Sequence, residues 1–228
     1  MMLAIVPARG GSKRLPGKNI LPFGGHPLVA WSIALARTLP DTICVVSTDD
    51  AAIAKIAGAC GAEIVMRPPE LARDDSSTLD AMIHAGETVR KSGRDFADVM
   101  LLQPTCPVRP RDMVLQACAE YAAQPCDSLV AVSQRPLKIG TVEDGWYRPN
   151  YEFGAQSRLT SPTWYENGWL YLTTAETMFE RRSLTGERVR AFEVPRPFDE
   201  VDIDTALDLA LGERVLAETR ARLGYAPR

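Results

Sequence analysis

Short apolar runs rich in β-branched residues alternate with longer segments of helical periodicity through the first 132 residues of this 228-residue chain. Each run is apolar at nearly every position, which is typical of strands that are covered on both faces. The runs lie at residues 3–6, 43–46, 63–66, 99–102 and 129–132. This alternation predicts β–α–β units with right-handed crossovers, and therefore an α/β fold with a mainly parallel, Rossmann-like sheet and helices on both faces.

Predicted helices fill the intervals between these runs. They cover residues 27–37, 50–60, 77–92 and 110–123. Asp49 or Asp50 is a suitable N-cap for the second helix, Gly61 is a suitable end for it, and Ser76 or Ser77 is a suitable N-cap for the third. No linker or repeat divides the sequence, so we expect one nucleotidyltransferase-sized domain over residues 1–228.

The regular alternation stops after the fifth strand. Residues 134–168 contain turn-forming residues and several aromatic side chains but no clear helical pattern. The pair Asp144-Gly145 between apolar residues predicts a β-hairpin. We expect this segment to be an excursion from the sheet that forms a subunit interface, because aromatic residues are enriched in interfaces.

Beyond the excursion, strands are predicted at residues 169–172, 189–194 and 201–203, and a final helix at 205–222. Within that helix, the apolar residues that share one face at helical spacing are Leu207, Ala210, Leu211 and Val215. Gly212 interrupts the pattern at a cost of about 1 kcal/mol relative to alanine, which weakens the prediction of an unbroken helix.

Basic residues are concentrated at the amino-terminal end. Residues 1–40 hold five Lys or Arg and no Asp or Glu, although the whole chain has a net charge of −3. Such a local concentration indicates an anion site rather than a surface that coats nucleic acid. The hydrophobic content of 46% and the charged content of 24% exclude disordered and fibrous classes.

The sequence has no membrane or export signal. No run approaches the roughly 18 apolar residues of a membrane helix, and only six apolar residues precede Pro7. The five cysteines include no C-x-x-C pair, and with two histidines they do not form a zinc-ligand pattern. We therefore expect a cytoplasmic protein with reduced cysteines, without a membrane or nucleic-acid partner.

A glycine-rich basic loop follows the first predicted strand. It contains two adjacent glycines, Gly10 and Gly11, and four cations, Arg9, Lys13, Arg14 and Lys18. Loops at the carboxyl end of sheet strands bind ligands in open α/β folds, and exposed backbone N–H groups with cations bind phosphates. The loop fits neither the Walker A nor the G-x-G-x-x-G pattern. The simpler alternative is a solvated basic turn.

Two carboxylates, Asp202 and Asp204, form a second candidate centre. On an extended strand, residues spaced i, i+2 point to the same face. Such a pair can chelate Mg²⁺, with phosphate oxygens completing the octahedron. Taken alone, Asp204 is equally suited to cap the final helix.

The sequence from Val6 to Asn19, Val-Pro-Ala-Arg-Gly-Gly-Ser-Lys-Arg-Leu-Pro-Gly-Lys-Asn, resembles the amino-terminal signature of the acylneuraminate cytidylyltransferases, also called CMP-sialic acid synthetases. The resemblance continues in order along the chain at residues 67–72, 101–109, 167–168 and 201–204. Related cytidylyltransferases for 3-deoxy-manno-octulosonate lack the Gly-Gly-Ser-Lys form of the loop, which favours the nonulosonate branch.

This resemblance implies an enzyme that transfers CMP from CTP to the anomeric 2-hydroxyl of a nonulosonic acid and releases pyrophosphate. It implies in-line attack on the α-phosphorus, a Mg²⁺ cofactor and a homodimer. It leaves open which group accepts the hydroxyl proton and whether one or two metal ions take part.

The resemblance also assigns residue roles. The triphosphate is contacted by Arg9, Gly10, Gly11, Ser12 and Lys18, and the nucleoside by Asn19, Arg67 and Thr78. The acceptor sugar is contacted by Gln103, Thr105, Arg109 and Asn167, and by Lys138 and Arg158 of a partner subunit. Catalysis is assigned to Lys18, Arg9 and the metal ligands Asp202 and Asp204. From its sequence alone, Arg109 is equally an ion-pair partner that stabilises the fold.

Some positions depart from the pattern typical of sialic acid enzymes. Cys106 replaces a common serine, and Trp169 replaces a small residue, which adds bulk near the expected sugar site. The acceptor is therefore open among sialic acid, legionaminate, pseudaminate and other 2-keto-3-deoxy acids. Two further alternatives are a non-catalytic nucleotide or sugar-acid binding protein and a transferase that uses another nucleoside triphosphate.

Overall fold

A seven-stranded sheet crosses the computed structural model, which describes residues 1–73, 75–154 and 163–227. Its strands are β1 (Met2–Pro7), β4 (Thr42–Thr48), β5 (Glu63–Met66), β6 (Asp98–Leu101), β7 (Ser128–Arg135), β10 (Thr163–Thr174) and β11 (Val189–Glu193). Two small hairpins contain β2 (Pro22–Phe23) with β3 (His26–Pro27), and β8 (Gly140–Glu143) with β9 (Trp146–Pro149). The helices are α1 (Leu28–Ala36), α2 (Ala51–Ala59), α3 (Thr78–Lys91), α4 (Arg111–Ala123), α5 (Ala175–Phe179) and α6 (Ala206–Thr219).

The strand order in the sheet is β11-β7-β10-β6-β1-β4-β5. All neighbours pair in parallel except β10, which runs antiparallel to both β6 and β7. The prediction of a mainly parallel sheet is therefore confirmed. Apolar residues fill two clusters, one on each face of the sheet, as expected for strands that helices cover on both sides.

The predicted strands and helices of the first 135 residues agree closely with those observed. Asp50 caps α2, because its carboxylate accepts N–H bonds from Ala52 and Ile53. Gly61 follows the helix with a positive φ of 85°. Ser77 caps α3 by accepting the N–H of Asp80. Local side-chain chemistry thus sets the helix ends.

The predicted strand at residues 201–203 is wrong. These residues form irregular backbone, because β6 and β10 already have a neighbour on each side and leave no edge for another strand. One backbone bond, from the N–H of Ile203 to the Thr105 carbonyl at 2.8 Å, holds the segment. Val201 and Ile203 are nevertheless buried, so Asp202 and Asp204 still project to the opposite side.

The final helix is confirmed, but its predicted apolar face is largely exposed. Leu207 and Leu211 are 67% and 58% exposed. The buried side instead contains Gly212 and Leu216. A Cβ on Gly212 would lie 3.0 Å from Val201 Cγ1, so the glycine lets α6 lie close against residues 201–203 without interrupting the helix.

The hairpin at Asp144-Gly145 is confirmed, with φ angles of 50° and 82° at its two central residues. Such positive values match the turns that are preferred in two-residue hairpins. Residues 163–166 pair with β7, so this part of the predicted 134–168 excursion belongs to the central sheet. Within the described residues, no helix is both long and apolar enough to cross a membrane.

We expect Leu216→Ala to lower the free energy of unfolding by about 2–5 kcal/mol, because it leaves a cavity beneath α6. Leu207→Ala is the matched control on the same helix, and we expect it to change stability by less than about 0.5 kcal/mol. Urea denaturation of both variants measures the difference. Equal losses would contradict the observed orientation of α6.

Candidate active site

A cavity of about 660 Å³ lies at the carboxyl ends of the parallel strands. Its walls are the loops that follow β1, β5 and β6, together with residues 202–204. Of the predicted site residues, those that line it are Arg9, Ser12, Lys18, Asn19, Arg67, Thr78, Gln103, Thr105, Asp202 and Asp204. The sheet thus brings together segments that are far apart in sequence, at the edge where open α/β folds bind ligands.

The cavity is strongly cationic. Six basic side chains line it, Arg9, Lys13, Arg14, Lys18, Arg67 and Arg73, against the two acidic side chains Asp202 and Asp204. The amino-terminal end of α3 adds the hydroxyl-bearing residues Ser76, Ser77 and Thr78 to the same wall. Because a helix N-terminus carries a partial positive charge, this wall also favours an anion.

The loop after β1 is fixed from behind. The N–H of Gly10 donates to Asp49 Oδ1 at 3.0 Å, and a Cβ on Gly10 would lie 2.7 Å from Asp50 Oδ2. A larger residue therefore does not fit against the start of α2. Gly10 and Gly11 are absent from the cavity wall, so the expectation that both glycines expose their N–H groups to phosphate is not met at Gly10.

The end of the same loop is anchored by Asn19, which is buried and donates from Nδ2 to the Arg9 carbonyl at 2.9 Å. Gly17, with φ at 67°, turns the chain into the short 3₁₀ helix Lys18–Ile20. These contacts hold Lys18 with only 13% of its side chain exposed and direct its Nζ across the cavity.

Asp204 is the acceptor for two of the loop cations. Its Oδ1 lies 2.8 Å from Lys18 Nζ, and its Oδ2 lies 2.7 Å from Arg14 Nη2. The helix is capped instead by Thr205 and Asp208, which form a reciprocal capping box. The capping alternative for Asp204 is therefore wrong, and its carboxylate faces the cavity.

Arg67 follows β5 and is oriented by Ser47 at the end of β4. Its Nε donates to Ser47 Oγ at 2.9 Å and its Nη2 to the Ser47 carbonyl at 2.8 Å. Burial lowers the pKa of the Arg67 guanidinium, while Asp49 acts in the opposite direction. The group stays charged, since an arginine pKa starts far above neutrality.

Sequence reasoning missed several residues of this wall. Arg73 accepts, through its carbonyl, a hydrogen bond from Arg9 Nη1 at 3.0 Å. Ser76 and Ser77 were considered only as helix caps, and no local signal distinguishes a cap from a cap that also lines a cavity. Their position after a sheet strand is the signal that was available.

Gln103 lies where β6 ends and connects the cavity to a bulge in β10. Its Nε2 donates to the Gly168 carbonyl at 3.3 Å, and Gly168 has a φ of 72°. Asn167 holds the bulge, because its Nδ2 donates to Ser133 Oγ and its Oδ1 accepts the N–H of Trp169. Asn167 is absent from the cavity wall, so its contact with the bulge is structural.

The prediction that Arg109 contacts the sugar is wrong in this structure, because its side chain is fully buried away from the cavity. It donates to the carbonyls of Gln103 and Trp169 and to Ser32 Oγ. Burial lowers its pKa. Arg109 therefore supports the Gln103 loop and the β10 bulge from below.

Trp169 does not add bulk near the sugar site. It is buried in the core, stacks on Phe192 with ring centroids 6.3 Å apart, and donates from Nε1 to the Val108 carbonyl. Cys106 is also buried, and burial raises the pKa of its thiol to about 11. The expected steric departure from sialic acid enzymes is therefore absent at Trp169.

The two residues assigned to a partner subunit do not contribute to this cavity. Lys138 is exposed in the connection between β7 and β8, with Nζ 5.4 Å from the centre of the Tyr151 ring. Arg158 lies outside the described residues.

We expect Arg109→Met to lower the free energy of unfolding by roughly 2–4 kcal/mol, because buried carbonyls lose their donor. Arg111→Met is the control, since Arg111 is partly exposed and donates only to the Thr38 carbonyl, and a loss below about 1 kcal/mol is expected there. Urea denaturation measures both. A loss for Arg109→Met no greater than the control would contradict the structural role.

Comparisons with known proteins agree with this geometry. Residues 3–128 match the model of a family described as cytidylyltransferase. The CMP-N,N'-diacetyllegionaminic acid synthase of Legionella pneumophila is 33% identical over 233 residues, which cover 94% of this chain and 96% of that protein. An N-acylneuraminate cytidylyltransferase of Streptococcus agalactiae is 29% identical over 215 residues, and the chain spans about half of its length (90% of this chain, 51% of that protein).

Among solved structures, the chain is similar to a CMP:2-keto-3-deoxy-manno-octonic acid synthetase complexed with CTP. The TM-score is 0.70 at 18% identity, covering 95% of this chain and 98% of that one, so the likeness concerns the fold. Because the family match extends over more than half of the residues and a relative of nearly equal length is over 30% identical, the chain belongs to the cytidylyltransferase family.

Proposed function

We propose that this enzyme transfers CMP from CTP to the anomeric 2-hydroxyl of a nonulosonic acid and releases pyrophosphate. The observation that carries the proposal is a cavity in which six cations surround one end and two carboxylates lie across from them. A triphosphate needs the first set, and a divalent cation bound to that triphosphate needs the second. Consumption of CTP is consistent with the expected cytoplasmic location.

The nucleoside end of CTP is assigned to Arg67, Thr78 and Asn19, and the triphosphate to Arg9, Ser12 and Lys18. Arg67 supports this assignment, because Ser47 fixes two of its nitrogens and leaves the rigid guanidinium at the cavity wall. Arg9 and Lys18 leave the same loop on which Asn19 is buried. Their charges are therefore held in place before the ligand arrives, which is the requirement for electrostatic stabilisation.

A divalent cation is consistent with the residues present. Two carboxylates line the cavity, and the described residues contain no group of three His, Cys, Asp or Glu that could hold a metal by itself. Mg²⁺ commonly binds one or two carboxylates and takes its other oxygens from substrate phosphates and water. When bound by Asp202 and Asp204, Mg²⁺ would neutralise charge on the phosphate oxygens.

In the proposed reaction, the 2-hydroxyl oxygen of the sugar forms a bond to the α-phosphorus, and the bond from that phosphorus to the bridging oxygen of the β-phosphate breaks. The hydroxyl proton leaves to a base, and pyrophosphate carries away the bonding electrons. Lys18 and Arg9 hold the triphosphate in line and stabilise charge that accumulates on its oxygens. No covalent enzyme intermediate is required.

The acceptor is assigned to the side of the cavity formed by Gln103 and Thr105. Gln103 is held by the Gly168 carbonyl, so its amide is oriented before the sugar arrives. We propose a nine-carbon acid as acceptor, since the two curated relatives above are named for legionaminic and acylneuraminic acids. Sialic acid, legionaminate and pseudaminate are the candidates to compare.

We also propose a homodimer in which the excursion forms the interface. The exposed large apolar side chains of this region are Leu137, Ile139, Val142, Trp146, Tyr147, Phe153 and Trp164. Contiguous exposed apolar surface of this kind is typical of protein–protein contacts. Lys138 lies in the same segment, which fits its assigned role of reaching the acceptor bound to the partner subunit.

Pyrophosphate release from CTP, Mg²⁺ and each candidate sugar acid tests the function. We expect turnover with at least one nonulosonic acid, and little with ATP, GTP or UTP under the same conditions. CTP binding without turnover on any acid would favour the non-catalytic alternative. Turnover with another nucleotide would favour the second alternative.

We expect Asp204→Asn to reduce turnover about a hundredfold or more, because one of the two carboxylates that bind the cation is lost. Asp112→Asn removes one negative charge from the exposed start of α4 and is the matched control, with unchanged turnover. Thermal unfolding confirms that both variants fold. Near-normal turnover of Asp204→Asn would refute its assigned role.

We expect the double substitution Trp146→Asp with Phe153→Asp to convert the dimer to a monomer, because two charges would be buried in the interface. Leu207→Asp places a charge on equally exposed apolar surface of α6 and should remain dimeric. Light scattering coupled to size-exclusion chromatography gives the mass of each. A dimeric double variant would contradict the proposed interface.

A further inference from the structure

We infer that Arg14 is a positioning residue that controls when Asp204 accepts a divalent cation. In the nucleotide-free enzyme, Arg14 and Lys18 together occupy the Asp204 carboxylate. When a triphosphate enters, both cations transfer to its oxygens, and Asp204 is released to the metal. This inference rests on the proposed function of the cavity, and no role described above assigns Arg14.

The contacts show that Asp204 has no unpaired carboxylate oxygen. Lys18 Nζ lies 2.8 Å from Oδ1, and Arg14 Nη2 lies 2.7 Å from Oδ2. A metal ion that approaches from the cavity therefore has to displace at least one cation. It also meets the repulsion of both positive charges at short range.

A triphosphate removes this obstacle because it offers more negative charge to the same two cations. Charge-assisted hydrogen bonds to phosphate are at least as favourable as those to a carboxylate. The exchange leaves every charge paired: the cations bind phosphate, and the metal bridges phosphate and Asp204. Metal and nucleotide binding are thus coupled by competition for one carboxylate.

The two cations are suited to different parts of this exchange. Lys18 is only 13% exposed and is held by the 3₁₀ helix at the end of the loop, so its movement is limited. Arg14 is 70% exposed, and its contact with Asp204 crosses the cavity mouth. An exposed, long side chain can change partner without any change in the fold, which makes Arg14 the partner that is released more readily.

The first measurement is the titration of the nucleotide-free protein with Mn²⁺ by calorimetry or water-proton relaxation. We expect Arg14→Gln to bind Mn²⁺ about threefold to fivefold more tightly than the original protein, the change that corresponds to removal of one exposed ion pair. We expect Arg14→Lys to return the affinity towards the original value. Asp204→Asn should lose this binding.

Lys13→Gln is the matched control. Lys13 is the preceding residue of the same loop and lines the same cavity, so its substitution removes the same charge from nearly the same place. A general field effect would raise Mn²⁺ affinity equally in both variants. A direct effect through Asp204 raises it more in Arg14→Gln.

The second measurement is CTP binding in the presence of EDTA. We expect Arg14→Gln to bind CTP more weakly, about threefold or more, because one phosphate partner is lost. A substitution that merely loosened the loop would weaken CTP and Mn²⁺ binding together. Opposite shifts for the two ligands are therefore the signature of the exchange.

Mn²⁺ affinity that is the same in Arg14→Gln and Lys13→Gln would overturn the inference, as would retention of Mn²⁺ binding by Asp204→Asn. Turnover by the original protein separates this failure from that of the proposed function. Turnover with CTP and a nonulosonic acid together with unchanged Mn²⁺ affinity rejects only the role of Arg14. Absence of turnover with every acid rejects the proposed function itself.

Discussion

The position of β1 between β4 and β6 is the constraint on which the active site depends. Parallel pairing on both sides aligns the carboxyl ends of these strands, so the loops that follow them open into one cavity. The loop after β1 then meets Arg67 from the end of β5 and Gln103 from the end of β6. Residues nearly a hundred positions apart become neighbours because the sheet has one direction.

A second layer of contacts fixes this cavity from behind. Asp49 accepts the N–H of Gly10, Ser47 orients Arg67, and buried Arg109 supports both the Gln103 loop and the bulge in β10. None of these partners except Arg67 itself lines the cavity. The charges that face the ligand are thus held by hydrogen bonds on their far side, which preserves their arrangement when the ligand is absent.

The electrostatic balance within the cavity links binding to chemistry. The cationic excess attracts a triphosphate, yet one carboxylate, Asp204, already neutralises two of the cations. A ligand that brings both negative charge and a divalent cation satisfies both groups at once. The same ion pairs that stabilise the nucleotide-free state are therefore those that nucleotide binding must exchange, and this exchange connects the loop at Arg14 with the distant segment at residues 202–204.

The sequence by itself determined the order of strands and helices, the caps at Asp50 and Ser77, and the hairpin turn, because each depends on neighbouring residues. It also placed the basic loop and the carboxylate pair, since alternation keeps Asp202 and Asp204 on one side even without a regular strand. Only the tertiary structure decided the buried roles of Arg109 and Trp169, the exposed face of α6 and the pairing of Arg14 with Asp204. Those outcomes depend on which surfaces meet in space, and a periodic pattern identifies an apolar face without specifying its partner.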